Sequence, residues 1–190
     1  MRPLNKGFYF GSFLGSLVVS LVLGVVLATM VAAENEVGIA ICVGIILMTA
    51  VYEAIVFVVM IHKMWSGLKG VGGRLSPGEA VGLLFVPLFN LYWIYRALWG
   101  FAKEYNSFAA RSGSPSRVIP EAPLLAYCIL TPLLWIPYLG VVLAVVREML
   151  LLSVLGPLVD SVNGLPGVGD AMARVWCEPA WPYREGEVVV

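Results

Sequence analysis

Charged side chains are scarce in this chain, and those present cancel. Only 13% of its 190 residues are charged, with twelve basic residues against twelve acidic ones. No run of Lys or Arg approaches the density needed to bind a nucleic-acid phosphate backbone. The sequence therefore predicts that nucleic acid is not a partner.

Residues for metal and redox chemistry are equally few. His62 is the one histidine, which excludes a His-based metal site. Cys42, Cys128 and Cys177 lie far apart and form no CxxC pair, so we interpret them as small apolar residues. The chain has no GxSxG, HExxH or phosphate-loop motif. We therefore expect no enzyme, no cofactor and no metal.

Apolar residues are what the chain has in quantity. They make up 60% of the sequence, which leaves too little polar surface to cover a soluble globule. We predict an all-α integral membrane protein with about four membrane-embedded helical segments. We expect residues 1–163 to form this membrane domain and residues 164–190 to form a short polar tail.

The first two segments have the length of ordinary spans. The uncharged run 8–33 predicts a spanning helix, with a cleaved signal peptide as the alternative. Residues 37–61 predict a second span. Lys63, Lys69 and Arg74 make the following connector basic, and its glycines predict that it is flexible. Because Lys and Arg favour the cytoplasmic side, the N-terminus and this connector are predicted to be cytoplasmic and the preceding acidic turn external.

Small side chains repeat every fourth residue along the first helix. Such strips let helices approach closely in lipid, where packing drives association. We predict a helix-packing strip, used either within the chain or between subunits of an oligomer. Its members are Ser12, Ser16, Ser20, Gly24 and Ala28.

The segment after the connector is predicted to begin as a helix and then to break. Ser76, Pro77 and Glu79 match a helix start, with a hydroxyl cap, a proline at the first helical position and an acid three residues after the cap. Pro87 lacks an N–H group, so the helix should kink or stop there. Asn90 follows and either caps the second half-helix or lines a small polar cavity.

This broken segment, residues 76–106, fits two arrangements in the membrane. Its uncharged run, 80–95, is shorter than the ~20 residues of a straight span. A re-entrant hairpin would return the basic loop around Arg111 to the cytoplasm, as the charge rule prefers. A kinked span would place the same loop outside.

The last apolar stretch also contains prolines. Residues 122–146 include Pro132 and Pro137, and residues 149–159 continue the apolar pattern. The whole is too long for one span. Either a kinked helix spans first and residues 149–159 lie along the interface, or the proline pair makes another bend.

One acid is predicted to lie at membrane depth. Glu53 is eight residues before Ile61, about 12 Å inside the second span. Charges at that depth are costly and tend to be paired. We expect Arg96 as the counter-charge, with Arg147 next. Glu53 is either a structural residue that joins helices or a ligand for a proton or cation.

A resemblance to a known family rests on the stretch KMWSGLKGVGGRLSPGEAVGLLFVPLFNLYWIYRALWGFAKEYN, continued by LLAYCIL, WIPYLG and DSVN. It resembles an uncharacterised family of bacterial multi-pass membrane proteins with a TPGKAVGFLFIPFFNLYW-like signature, often with an attached small soluble domain. The likeness covers residues 63–163. This chain differs at Glu79, where a basic residue is usual, and lacks the soluble domain. The resemblance implies membrane embedding and a bacterial origin, but no activity.

We therefore predict a small, non-enzymatic protein of the bacterial inner membrane. It would act as a subunit, scaffold or assembly partner in a membrane complex, with the lipid bilayer and another membrane protein or further copies of itself as partners. The alternative is a small transporter or channel that uses Glu53 and the break at residues 87–90. The two differ because a transporter needs a continuous polar path through the bilayer.

Overall fold

The fold is all-helical throughout the part of the chain that the structure describes. This computed structural model describes residues 3–70, 72–111, 118–136 and 139–165, with the backbone alone at 87, 88, 139 and 141. The elements are α1 (Lys6–Ala32), α2 (Glu36–Lys69), α3 (Pro77–Gly82), α4 (Pro87–Ile94), α5 (Gly100–Arg111), α6 (Glu121–Leu133) and α7 (Leu139–Asn163). Almost all of the predicted tail, with Cys177, lies outside the described residues.

Three of these helices are long and apolar enough to cross a membrane. They are α1, α2 and the part of α7 from Val142 onward. The shorter helix α6 is also apolar but has only 13 residues, or roughly 20 Å of helix, against a hydrocarbon core of about 30 Å. By length and composition, the described part of the chain thus has three candidate membrane spans.

Asparagine caps begin both helices of the N-terminal hairpin. The Asn5 side chain accepts a hydrogen bond from the Phe8 backbone N–H at 3.1 Å, and the Asn35 side chain accepts one from Gly38 at 2.9 Å. Glu34 adopts a φ of 52° in the turn between them, a left-handed conformation that reverses the chain. The α1–α2 connection is therefore short and well defined.

The sequence pattern predicted that the second span ends near Ile61, but helix α2 continues to Lys69. The extra turns are kept because Met64, Trp65 and Leu68 are buried. Trp65 also donates its indole N–H to the Ala97 carbonyl at 2.9 Å. The connector predicted to be flexible, residues 66–75, is thus helical in its first four residues, because tertiary packing outweighs the low helix propensity of Gly67.

The predicted helix start at Ser76 is confirmed. The Ser76 hydroxyl accepts from the Glu79 backbone N–H at 3.2 Å, and the Glu79 carboxylate accepts from the Ser76 backbone N–H at 3.0 Å. Pro77 occupies the first helical position. This reciprocal capping box satisfies two N–H groups that the start of a helix leaves without partners.

The helical path changes between α3 and α4. Leu83–Phe85 forms a 3₁₀ turn, and Val86 is extended, with a ψ of 110°. Helix α4 begins at Pro87, where no side chain caps it. The prediction that Asn90 caps this helix is wrong, because the cap position falls on Val86 and Asn90 already lies inside the first turns.

The turn between α6 and α7 follows a proline. Helix α6 ends at Leu133, one residue after Pro132, and α7 begins at Leu139. Residues 149–159 lie inside α7 and do not form a separate interfacial helix. The two helices therefore pack as a hairpin.

Buried side chains concentrate at one end of the molecule, where the C-terminal part of α2 meets α5, α6 and α7. In an 18-residue apolar stretch of each candidate span, only 6% of the residues in α1 and 11% of those in α2 are buried, against 33% in α7. The far parts of α1 and α2 thus project apolar side chains outward.

The two chain ends of the bundle are held side by side. The Leu4 backbone N–H donates to the Asn163 side chain at 2.7 Å, and the Asn163 amide donates back to the Leu4 carbonyl at 2.9 Å. Lys6 pairs with Asp160 at 2.7 Å. Helix α1 therefore begins at the end of the molecule where α7 finishes.

Candidate functional site: a charge cluster between apolar helices

Charged residues from two apolar helices meet in a partly buried cluster. Glu53 lies near the middle of α2, and Arg147 and Glu148 lie in the first half of α7. The Arg147 Nη2 atom is 3.7 Å from Glu53 Oε1. The Arg147 Nε atom donates to Glu148 Oε1 at 3.1 Å. One guanidinium therefore joins carboxyl groups from two helices.

Ser16 adds α1 to this arrangement. Its hydroxyl oxygen lies 3.2 Å from Glu53 Oε2 and 3.0 Å from the Phe13 carbonyl. Because a hydroxyl has a single proton to donate, Ser16 can serve only one of these acceptors at a time. We call Ser16, Glu53, Arg147 and Glu148 the charge cluster.

Aromatic rings attach α6 to the charge cluster. The guanidinium carbon of Arg147 lies 5.3 Å from the centre of the Tyr127 ring, within the range of a cation–π interaction. Tyr127 in turn stacks on Phe57 of α2, with ring centres 6.2 Å apart. The cluster therefore connects all the long helices with α6.

The charge cluster has one more carboxyl group than it has guanidinium. The Glu148 side chain is only 6% exposed, its Oε2 atom has no hydrogen-bond partner among the described residues, and its carboxyl group neighbours that of Glu53. Like charges held this close repel each other, so the single guanidinium of Arg147 has to serve both carboxyl groups.

Two residues singled out in the sequence lie outside the charge cluster. The structure pairs Glu53 with Arg147 and not with Arg96. Arg96 is exposed, because Ala97 and Leu98 in the same turn take the buried positions. Asn90 is half-buried in α4 and contributes no atom to the cluster.

Sequence reasoning missed Glu148 as a site residue. Arg147 and Glu148 are the only charged residues between positions 122 and 159. A charged pair that interrupts so long an apolar stretch is costly unless it has partners, and that was the available signal. No residue spacing within one helix indicates that Arg147 pairs with Glu53 on α2.

No protein-family model, curated protein or solved structure matches this chain. The resemblance to a bacterial membrane family therefore stays a prediction. Functional conclusions rest on the geometry of the chain itself.

The small-residue strip of α1 divides between two environments. Ser12 hydrogen-bonds the Tyr52 hydroxyl at 2.9 Å, and Ser16 belongs to the charge cluster, so both face α2. The rest of the strip is exposed, because positions four residues apart rotate by about 40° per step around a helix. The exposed members are Ser20, Gly24 and Ala28.

We expect Glu53 and Arg147 to stabilise the fold as a coupled pair. Replacing either by Gln leaves its partner in a poor solvent, which should lower the free energy of unfolding by about 1–3 kcal/mol. The double variant should lose less than the sum, with a coupling energy of about 0.5–3 kcal/mol. Thermal unfolding of the purified variants in mild detergent measures these differences.

Arg96→Gln is the control for this cycle. Combined with Glu53→Gln, it should give effects that add to within about 0.5 kcal/mol, because the two side chains do not meet. Coupling of Glu53 to Arg96, or strict additivity of Glu53 and Arg147, would contradict the assigned pair.

Proposed function

We propose that this chain is a non-enzymatic, multi-pass protein of the bacterial inner membrane that acts as a subunit or scaffold of a membrane complex. The observation that carries the proposal is the exposed part of the small-residue strip. A Cβ atom added at Gly24 would meet no atom within 4 Å. Small residues on an open helix face allow another helix to approach closely in lipid.

The distribution of basic residues supports an orientation for this protein. Lys63 lies 6.0 Å from the centre of the Tyr9 ring, so α2 returns to the end of the molecule where α1 begins. Lys6 and Lys69 belong to the same end. Because Lys and Arg favour the cytoplasmic side, we orient this end and the N-terminus toward the cytoplasm. The bacterial setting is supported by the family resemblance alone.

Residues 76–106 form a re-entrant element in this proposal. The Arg74 backbone N–H donates to Glu104 Oε1 at 2.6 Å, which brings the two ends of the element together. Trp93 donates its indole N–H to the Ala80 carbonyl at 3.1 Å, so α4 folds back on α3. A segment whose ends meet favours a return to the same side over a kinked span.

A labelling experiment tests this topology. On a background with its cysteines replaced, Arg111→Cys and Lys69→Cys should react with a membrane-impermeant maleimide from the same, cytoplasmic side. Glu36→Cys should react only from the outside, because the α1–α2 turn lies at the other end. Labelling of position 111 from outside, with position 69 still inside, would establish a kinked span instead.

The exposed part of the small-residue strip is the proposed partner surface of α1, and a larger side chain placed there tests the proposal. Gly24→Leu should leave the unfolding temperature nearly unchanged, because the site is open, but should abolish assembly as seen by native gel electrophoresis of solubilised membranes. Val25→Leu is the matched control, since Val25 is 68% exposed on another face of α1. It should change neither property.

A crosslinking variant identifies the partner. Gly24→Cys should give a crosslinked product in native membranes, of twice the monomer mass for a second copy or of another mass for a different protein. Ser16→Leu, which overfills the buried contact with α2, should lower stability by about 1–2 kcal/mol and so calibrates the unfolding assay. Failure of Gly24→Cys to crosslink, together with normal assembly of Gly24→Leu, would contradict the proposal.

Proton-coupled transport is the second candidate function, and the surplus carboxyl group of the charge cluster favours it. A groove of about 370 Å³ between α1 and α2, lined by Ser12, Ser16 and Tyr52, reaches the cluster from the outer surface of the two helices. Polar groups at such depth commonly mark ion pathways. The lining of this groove is largely apolar, and its hydroxyl groups bring polar atoms from the helix surface to the cluster.

Flux measurements separate this candidate from a subunit role. In liposomes that carry a pH gradient, the protein should dissipate the gradient if it transports protons, and Glu53→Gln should abolish that flux. Arg96→Gln, outside the charge cluster, should retain it. Absence of flux from the unaltered protein would exclude the transport function.

A further inference from the structure

A second site lies outside the charge cluster, in a groove between the connector after α2, α4 and α5. Its volume is about 830 Å³, enough for a ligand of several functional groups. We call this the basic groove. Its basic and aromatic lining residues include Arg74, Arg96, Lys103, Arg111, Tyr92 and Trp99.

The basic groove carries uncompensated positive charge. Within the described part of the chain, four cationic side chains line it, against the single acid Glu104. One carboxylate oxygen of Glu104 already accepts the Arg74 backbone N–H at 2.6 Å. None of the four cations forms a salt bridge with a described residue. Such a concentration of one sign in a concave surface attracts an anion.

Two of the cations are held in defined positions. The Lys103 ammonium lies 3.9 Å from the centre of the Trp99 ring, a close cation–π contact. The Arg111 Nε atom donates to the Ser107 carbonyl at 3.1 Å. Arg96 lines the same groove and has no acidic partner among the described residues. A planar guanidinium beside a fixed ammonium suits the oxygens of a phosphate group.

The aromatic residues place the basic groove at a membrane surface. Tyr92 is 62% exposed, and Trp99 lies one helical turn before Lys103. Tyr and Trp beside Lys and Arg are typical of the level of lipid headgroups. Basic pockets at this level bind anionic headgroups. We propose that the basic groove binds the phosphate of an anionic phospholipid headgroup.

Titration of the purified full-length protein in a zwitterionic detergent tests this site. The probes are dioctanoyl phosphatidylglycerol, dioctanoyl phosphatidylcholine and glycerol 3-phosphate, and the dissociation constant is followed by calorimetry. Phosphatidylglycerol should bind, and high salt should weaken that binding because exposed charges are screened. Phosphatidylcholine carries the same phosphate, but the cations of the groove repel its quaternary ammonium group, so it should bind at least tenfold more weakly.

Variants tie this binding to the basic groove. Arg96→Gln and Lys103→Gln should each weaken phosphatidylglycerol binding by about tenfold. Arg96→Lys should restore part of it, since the charge returns without the planar fork. Lys69→Gln removes an exposed charge from the same end of the molecule but outside the groove, and should leave the affinity unchanged. Unfolding temperatures without lipid check that each variant folds.

The soluble probe separates two sources of the phosphate. If phosphatidylglycerol is displaced only by another phosphate that carries acyl chains, the result supports a bilayer lipid as the ligand. Equal displacement by glycerol 3-phosphate would overturn the lipid assignment and leave a free organophosphate as the ligand. Equal loss of affinity in Lys69→Gln and Lys103→Gln, or equal binding of both lipids, would overturn the site itself. None of these outcomes depends on the partner surface of α1.

Discussion

The guanidinium of Arg147 holds carboxyl groups from two helices in a setting where Arg147 and Glu53 are half-buried and Glu148 is buried. Each of these charges would be strongly unfavourable alone, so α2 and α7 must lie in a register that brings Glu53 to Arg147. Ser16 and Tyr127 then fix α1 and α6 against the same point. Apolar helices otherwise have few directional contacts in lipid, which gives this cluster its importance for the arrangement of the bundle.

Packing is unevenly distributed around that cluster. The core lies toward the end where α1 begins, whereas the far parts of α1 and α2 contact little besides each other. The α1–α2 hairpin packs into the core at one end and is exposed at the other. In our proposal, the exposed end offers a surface to a neighbouring helix. At the anchored end, the interrupted path from α3 to α5 gathers Lys, Arg, Trp and Tyr into a groove. Partner contact and lipid contact would thus use opposite parts of the molecule.

Some residues lie where the sequence interpretation did not expect them because side chains rotate around a helix, and one because of where its helix begins. The four-residue strip drifts by about 40° per step, so Ser16 is buried and Gly24 is open. Arg96 is exposed because its neighbours Ala97 and Leu98 face the core. Asn90 sits inside α4 because the proline fixes where that helix begins. In each case the residue type was informative, but its direction depended on the tertiary contacts.

Composition and local chemistry by themselves determined the membrane class, the helical fold and the capping box at Ser76, since these depend on solvent transfer and on contacts within four residues. The pairing of Glu53 with Arg147, the extension of α2 to Lys69 and the basic groove were decided only in the tertiary structure. Each of these joins positions on different helices, and no periodicity along one helix fixes the rotation and register of another. Only the packing of side chains from both helices sets those two quantities.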